Sequence, residues 1–232
     1  MKSKLLLVST KMLINCILIF PAAAKVVYFN SFENGVGSEW SDSSIDITPS
    51  GNQRFLGQFG NGTVALTLNN LPAHTEVTIS FDLFIIRSWN GNEPDIWDLN
   101  VSNGPTLLHT TFNNHNPSIF DVTIPQAYPD NYPGGSYPSL TGAFEINTLG
   151  YTFLCEPSPG DGFVDLPMDT VYELVFAFPH FTSELVLNFS GSELAVLTSK
   201  SWGLDNVTVE AIPEPATLLL IGLGAVILRK KR

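Results

Sequence analysis

The chain has 232 residues, with 22 acidic against 11 basic side chains and a formal net charge of −11. Such an acidic balance argues against a nucleic-acid-binding protein or one that binds anionic lipid, because phosphate groups attract Lys and Arg. Hydrophobic residues make up 44% of the chain and charged residues only 14%. This composition provides enough apolar material for the core of one domain.

The first 24 residues have the features of a secretory signal peptide. Lys2 and Lys4 precede an apolar run over residues 5–20, and Pro21-Ala22-Ala23-Ala24 follows it. A positive start, an apolar stretch and small residues before the cleavage point are the features of such a peptide. We predict a signal-peptide helix in residues 1–24, removed by cleavage after Ala24.

The next segment, residues 25–211, is predicted to be an acidic ectodomain. All but one of the 22 acidic residues lie between residues 25 and 212, but only four of the 11 basic residues do, which gives a formal net charge of −17. Cys155 is the only cysteine left, so no intrachain disulfide can form. Stability is expected to come from the core or from a bound metal, and Cys155 is expected to be a small side chain near a strand end.

Short segments rich in β-branched and aromatic residues follow one another along the ectodomain, separated by turn signals. The longest covers residues 76–87, where apolar side chains recur at every second position. The predicted strands are 26–29, 44–48, 54–59, 63–68, 76–87, 96–101, 106–112, 119–124, 144–153, 171–178, 184–189 and 204–210. Residues 125–142 and 155–169 are predicted loops.

No segment of the ectodomain shows sustained helical periodicity. The pattern predicts an all-β fold, an antiparallel two-sheet sandwich of the jelly-roll, concanavalin-like type. The signal-peptide helix and a short C-terminal apolar helix are expected to flank it.

Two motifs at opposite ends of the ectodomain resemble the first and last strands of jelly-roll carbohydrate-binding modules. They are Phe32-Glu33-Asn34-Gly35 and residues 202–209, which include Asp205. In those modules an early Glu and an Asp on the last strand often share a structural calcium, so the resemblance implies Glu33 and Asp205 as calcium ligands. Calcium prefers several oxygen ligands, which carboxylates and carbonyls supply. The alternative is that both are ordinary turn and strand-end carboxylates.

The segment Glu93-Pro94-Asp95-Ile96-Trp97-Asp98 resembles the Glu-x-Asp-x-x-Glu strand of some jelly-roll glycoside hydrolases. A retaining glycosidase needs two carboxyl groups about 5 Å apart. Asp98 is shorter than the Glu of that pattern, and Pro94 interrupts the strand. We therefore expect no catalysis, and keep as the alternative a hydrolase that uses Glu93 with Asp95 or Asp98.

The loop over residues 125–142 carries Tyr128, Tyr132 and Tyr137 among prolines. Binding sites of this kind combine apolar walls with a few polar groups, and a sugar can stack on an aromatic ring while polar side chains bind its hydroxyls. Trp89, beside Asn90 and Asn92, is predicted to add a further platform. The alternative is that these rings cover the edge of the sandwich.

The last 21 residues, 212–232, combine three elements in a fixed order. Pro213, Glu214 and Pro215 precede an apolar run of 13 residues, and a basic cluster follows. The cluster consists of Arg229, Lys230, Lys231 and Arg232. As a helix the run covers roughly 20 Å, less than the ~30 Å hydrocarbon core of a bilayer. We expect a transient membrane stop whose basic end stays in the cytoplasm.

This order of elements resembles the PEP-CTERM sorting signal. The resemblance implies processing by an exosortase, a membrane protease of Gram-negative bacteria that make extracellular polysaccharide, with this chain as its substrate. An ordinary tail anchor is the alternative. We therefore predict a protein exported through the inner membrane to the cell surface or extracellular matrix. Its expected role is structural or adhesive, with extracellular polysaccharide as a candidate partner and no nucleic acid, and a protein–protein adhesion module is a further alternative.

Overall fold

The computed structural model describes residues 23–213, except residues 94, 121–123 and 161. Almost all of the predicted signal-peptide helix and of the predicted C-terminal helix lie outside this range. Within it the chain forms thirteen strands. They are β1 (Lys25–Asn30), β2 (Ile45–Ile47), β3 (Arg54–Phe59), β4 (Gly62–Leu68), β5 (Glu76–Arg87), β6 (Ile96–Val101), β7 (Thr106–Thr111), β8 (Glu145–Ile146), β9 (Thr152–Cys155), β10 (Val164–Pro167), β11 (Asp169–Pro179), β12 (Leu185–Ser192) and β13 (Lys200–Ile212).

The strands form two large sheets and one small hairpin, with every pairing antiparallel. The seven-stranded sheet has the order β2-β3-β13-β5-β11-β8, with β1 also paired to β13. The four-stranded sheet has the order β4-β12-β6-β7, and β9 pairs with β10. The predicted all-β, antiparallel jelly-roll sandwich is confirmed. No helix in the described part of the chain is long and apolar enough to cross a membrane.

Aromatic side chains fill the space between the two large sheets. Phe81 of β5 lies 5.9 Å from Trp97 of β6 and 5.4 Å from Phe189 of β12, measured between ring centroids. Trp97 in turn lies 6.1 Å from Trp202 of β13. All four rings are buried because side chains of a strand alternate between its two faces, and these positions share the inner face.

A second, smaller core lies on the outer face of the seven-stranded sheet. It joins Phe55, Phe84, Ile86 and Val171 to Leu149 and Tyr151. The segment bearing Leu149 and Tyr151 is held down by the buried carboxylate of Asp169, which accepts hydrogen bonds from the backbone N–H of Leu149 (3.0 Å) and of Tyr151 (2.9 Å). Thus only part of this sheet's outer face is open to solvent.

Several sequence predictions between residues 119 and 169 are wrong. The strand predicted at 119–124 does not form at its start, where residues 117–119 make a turn. The strand predicted at 144–153 is reduced to β8 and the start of β9, because Asn147 and Gly150 have positive φ angles of 59° and 87°, which break an extended strand. The loop predicted at 155–169 contains β10.

Cys155 ends β9 and is partly buried. Burial, with a smaller contribution from Asp165, raises the pKa of its thiol. A raised pKa keeps the thiol protonated and poorly nucleophilic. The prediction of a small side chain at a strand end is confirmed.

Candidate functional site

The loop at 125–142 covers the free edge of β7, one of the two edge strands of the four-stranded sheet. The backbone N–H of Tyr132 donates to the carbonyl of His109 (2.7 Å), and that of Tyr128 donates to the carbonyl of Thr111 (3.2 Å). The Thr110 hydroxyl donates to the carbonyl of Asp130 (2.8 Å). The loop therefore satisfies backbone groups that an exposed edge strand would leave unpaired.

This attachment brings Tyr132 beside a carboxylate–imidazole pair. The rings of Tyr132 and His109 lie 6.3 Å apart, and Nδ1 of His109 lies 2.5 Å from Oδ1 of Asp98. Asp98 is directly opposite His109 in the β6–β7 register. Because Trp97 and Leu99 face the core, Asp98 faces outward with His109.

The polar side chains that point outward from the four-stranded sheet, where Ala65, Ile96 and Val186 also point outward, form what we call the polar face. Besides the Asp98–His109 pair, its members are Asn100 of β6, Thr106 of β7, Asn188 and Ser190 of β12, and Thr63 and Thr67 of β4. Asp98 is the only carboxylate on these four strands, and they carry no Lys or Arg. The polar face is therefore nearly free of formal charge, although the ectodomain is strongly acidic.

The other predicted sugar-stacking residues occupy different environments. Tyr137 donates its hydroxyl to Oδ2 of Asp130 (2.7 Å), which raises the pKa of the tyrosine. Tyr128 is half-buried and packs against Phe112 and Tyr172, with centroids 5.1 and 5.2 Å away. Of the three tyrosines, Tyr132 is therefore the one placed beside polar groups of the sheet face.

The prediction that Trp89 is a sugar platform is wrong. Its side chain is 0% exposed, and its Nε1 donates to the carbonyl of Ser201 (2.9 Å). The indole N–H finds this acceptor on β13, far away in the sequence, so burial costs it no hydrogen bond. Its polar neighbours Asn90 and Asn92 indicated a surface position that the tertiary contact overrides.

The three carboxylates of the hydrolase alternative are separately engaged. Asp95 is 1% exposed, and both of its oxygens lie 2.7 Å from Nζ of Lys200. Burial raises the pKa of Asp95 and Lys200 opposes that change. Asp98 pairs with His109 on the outward face, and the exposed Glu93 accepts a hydrogen bond from Asn90 (2.8 Å). This segment is a turn and a strand in which Trp97 enters the core.

The structure brings Glu33 and Asp205 to neighbouring residues at the start of β3. Asp205 lies where β13 changes its partner from β3 to β1. Its Oδ2 accepts from Nε2 of Gln53 (2.5 Å), and Glu33 accepts from the backbone N–H of Arg54 (3.1 Å). Burial raises the pKa of Asp205 to about 7, with smaller contributions from the charges of Asp82 and Glu33.

The Gln53 side chain and the Arg54 backbone N–H donate to the carboxylate oxygens of Asp205 and Glu33 that a cation would use. In the described residues, no group of three or more His, Cys, Asp or Glu side chains is arranged to hold a metal ion. A calcium ion at Glu33 and Asp205 would need further oxygens, from amide side chains or backbone carbonyls.

The C-terminal residues carry the sorting signal of this chain. Residues 211–232 match the PEP-CTERM protein-sorting motif. The chain carries a PEP-CTERM sorting signal. This confirms the resemblance found in the sequence, and a PEP-CTERM signal implies export, processing by an exosortase and sorting to the cell surface.

A comparison with curated sequences finds no match to this PEP-CTERM chain. Among solved structures, latent PorU from Porphyromonas gingivalis is 13% identical, with a TM-score of 0.45, and covers 83% of this chain. The chain spans only 13% of the length of PorU.

Two smaller structures are matched over most of their length. The carbohydrate-binding module CBM28, specific for non-crystalline cellulose, is 14% identical, with a TM-score of 0.38 and coverage of 81% of this chain and 95% of its own. The K3 cleaved adhesin domain of Lys-gingipain from P. gingivalis is 11% identical, with a TM-score of 0.35 and coverage of 80% and 98%. These likenesses concern only the sandwich architecture.

We predict that Asp95 is a structural residue. Replacing Asp95 with Asn leaves Lys200 buried without a counter-charge, so the free energy of unfolding should fall by on the order of 3 kcal/mol in urea titrations. Asp98→Asn is the matched control on the same segment, and its more exposed pair should cost less than about 1 kcal/mol. The assignment would be contradicted if the wild type had β-glucanase activity and the Asp95→Asn variant lost it with unchanged stability.

The buried Asp205 predicts a second measurable effect, a dependence of stability on pH. Its folded-state pKa of about 7 lies above the ordinary value of 3.8. The folded state therefore holds a proton that the unfolded state has lost, and stability should decrease as pH rises from about 4 to about 7. In chelator, Asp205→Asn should remove this decrease and stabilise the protein at pH 8 by on the order of 2 kcal/mol. Thermal unfolding across this pH range gives the answer, and equal slopes in both proteins would contradict the prediction.

Proposed function

We propose that this PEP-CTERM protein is a non-catalytic component of the cell surface or extracellular matrix that adheres by binding carbohydrate through the polar face. The observation that carries the proposal is the position of Tyr132 beside the outward Asp98–His109 pair. A tyrosine ring offers an apolar stacking surface, while a carboxylate and an imidazole offer hydrogen-bond partners for hydroxyl groups.

The charge distribution supports the same proposal. The ectodomain has a formal net charge of −17, but the four strands that form the polar face carry one carboxylate. Their Asn, Ser and Thr side chains can both donate and accept hydrogen bonds, as sugar hydroxyls do.

The absence of catalysis is part of the proposal, and the hydrogen-bond partners of the carboxylates support it. A glycosidase pair must flank one scissile bond from the same open surface. Asp95 is 1% exposed and paired with Lys200, whereas Asp98 faces outward. Such an arrangement suits a binding module better than a hydrolase.

A protein–protein adhesion module is the second candidate function, and exposed apolar side chains favour it. Phe144, Leu154, Phe163 and Val175 are 62%, 57%, 71% and 66% exposed. Loss of self-association or of cell–cell adhesion in a Phe163→Ser variant, with glycan binding absent from the wild type, would favour this candidate.

We predict that Tyr132→Ala lowers binding to a neutral polysaccharide by about tenfold, since loss of an aromatic stacking contact costs more than about 1 kcal/mol. Affinity electrophoresis in gels containing cellulose derivatives, β-1,3-glucan or xylan measures the effect. Phe163→Ala is the control, because it removes a more exposed ring from outside the four strands that form the polar face. Equal retardation of the wild type and Tyr132→Ala would exclude this site.

We also propose that Glu33 and Asp205 are ligands of a structural calcium ion. The raised pKa of Asp205 shows that its charged form is disfavoured where it lies, and a divalent cation would reverse that effect. Calcium at millimolar concentration should raise the melting temperature at pH 7.5 by several degrees, and Glu33→Gln should abolish the increase. An unchanged melting temperature with calcium and with chelator would dismiss the metal.

A further inference from the structure

A groove opens at the end of the polar face that is farthest from the start of β6. It lies between the β6–β7 turn, residues 102–105, and the β11–β12 loop, residues 180–184, and has a volume of about 530 Å³. Phe181 lines it and is 70% exposed. Polar groups of Ser102, Asn103 and Glu184 line the same groove.

The loop that presents Phe181 is held on both sides of that residue. Nδ1 of His180 lies 2.7 Å from Nε2 of the buried His74, and the two rings stack with centroids 5.0 Å apart. Nδ1 of His74 is in turn 2.6 Å from the carbonyl of Pro72. After Phe181, the Thr182 hydroxyl donates to the carbonyl of Glu184 (2.8 Å). The exposed ring is therefore presented by a fixed loop, which lowers the ordering cost of binding.

The groove is continuous with the polar face. Ser102 and Val186 line the groove, and the Asn188 side chain on the polar face donates to the hydroxyl of Ser102 (2.8 Å). Asn100 of β6 is paired with Asn188, and its Oδ1 accepts a hydrogen bond from the Thr106 hydroxyl of β7 (2.6 Å). Polar groups thus follow one another from Asp98 along β6 into the β6–β7 turn, and the strand part alone, from Asp98 to Val101, covers about 10 Å at the usual rise of a strand. A surface of this length is longer than one sugar ring.

We propose that the Phe181 groove is a second stacking site, and that Tyr132 and Phe181 mark the two ends of a surface that binds one extended, neutral polysaccharide chain. This inference rests on the proposed carbohydrate-binding function and specifies its ligand class. Each aromatic ring stacks on a sugar at one end, and Asn100, Asn188 and Ser102 bind hydroxyl groups between them.

The charges select a neutral chain. Asp98 lies on the surface and Glu184 at the groove, and the four strands of the polar face carry no Lys or Arg to pair with an anionic group. Uronate or sulfate groups on a glycan would meet these carboxylates within a body of net charge −17. Anionic polysaccharides are therefore excluded as ligands.

The test uses the full chain as the protein. The neutral probes are cello-, laminari- and xylo-oligosaccharides of increasing length, and alginate oligosaccharides are the anionic probe. By isothermal titration calorimetry, the affinity for the neutral series should rise with length until both rings are engaged. Phe181→Ala should lower the affinity for long oligosaccharides about tenfold. The affinity for the shortest oligosaccharide that binds at the Tyr132 end should stay unchanged. Phe163→Ala is the control for loss of an exposed ring, and a thermal melt verifies that each variant is folded.

The outcomes separate this inference from the function on which it rests. If Tyr132→Ala weakens binding but Phe181→Ala does not at any length, the second site is wrong and carbohydrate binding at Tyr132 stands. If no neutral oligosaccharide binds the wild type, both are wrong. Equal or tighter binding of alginate would overturn the neutral ligand class alone.

Discussion

The contact of Phe81 with Trp97 and Phe189 between the two sheets is the interaction on which the rest of the molecule depends. No disulfide can support this body, so the apolar contacts between sheets must hold it together. Aromatic pairs add about 0.5–1.5 kcal/mol each beyond the area that they bury. They also fix which face of β6 points inward. With Trp97 buried, Asp98 must face solvent, because a slip of one residue would exchange the two faces.

The two sheets divide the charge of the ectodomain unequally. The seven-stranded sheet contains Asp82, Asp205 and Glu210 on adjacent strands, and they raise the electrostatic cost of folding in the absence of cations. The four-stranded sheet carries only Asp98. One sheet thus carries carboxylates whose pKa is raised by burial, while the other presents a nearly neutral surface of amides and hydroxyls. The two properties do not compete for the same residues.

Where the sequence predicted the structure well, the signal was local. The alternation in residues 76–87 predicted β5 with the bounds that it has in the structure. Sequence failed where distant residues decide the conformation. Trp89 is buried because Ser201, on the last strand, provides an acceptor for its indole N–H.

The candidate site shows the same limit. A loop with tyrosines and prolines indicated an aromatic surface, but the sequence could not separate Tyr132 from Tyr128, because the difference lies in their contacts with His109 and Tyr172. The sequence pattern did not identify Phe181 as a candidate binding residue, since a single Phe in a turn has no distinctive pattern. The one available signal was its position, because Phe181 follows Pro179 and His180 in a loop between two strongly apolar strands.

The distribution of basic residues links the fold to the PEP-CTERM signal. Seven of the 11 Lys and Arg residues lie in residues 1–24 and 229–232, so the body between them has only four. Basic flanks of membrane segments are retained on the cytoplasmic side, whereas a long domain crosses largely regardless of its charge. The basic residues that bear on membrane orientation therefore lie at the two ends and not in the body between them. Since it folds without a disulfide, its stability outside the cell depends on the aromatic contacts between the sheets and not on the oxidising power of its surroundings.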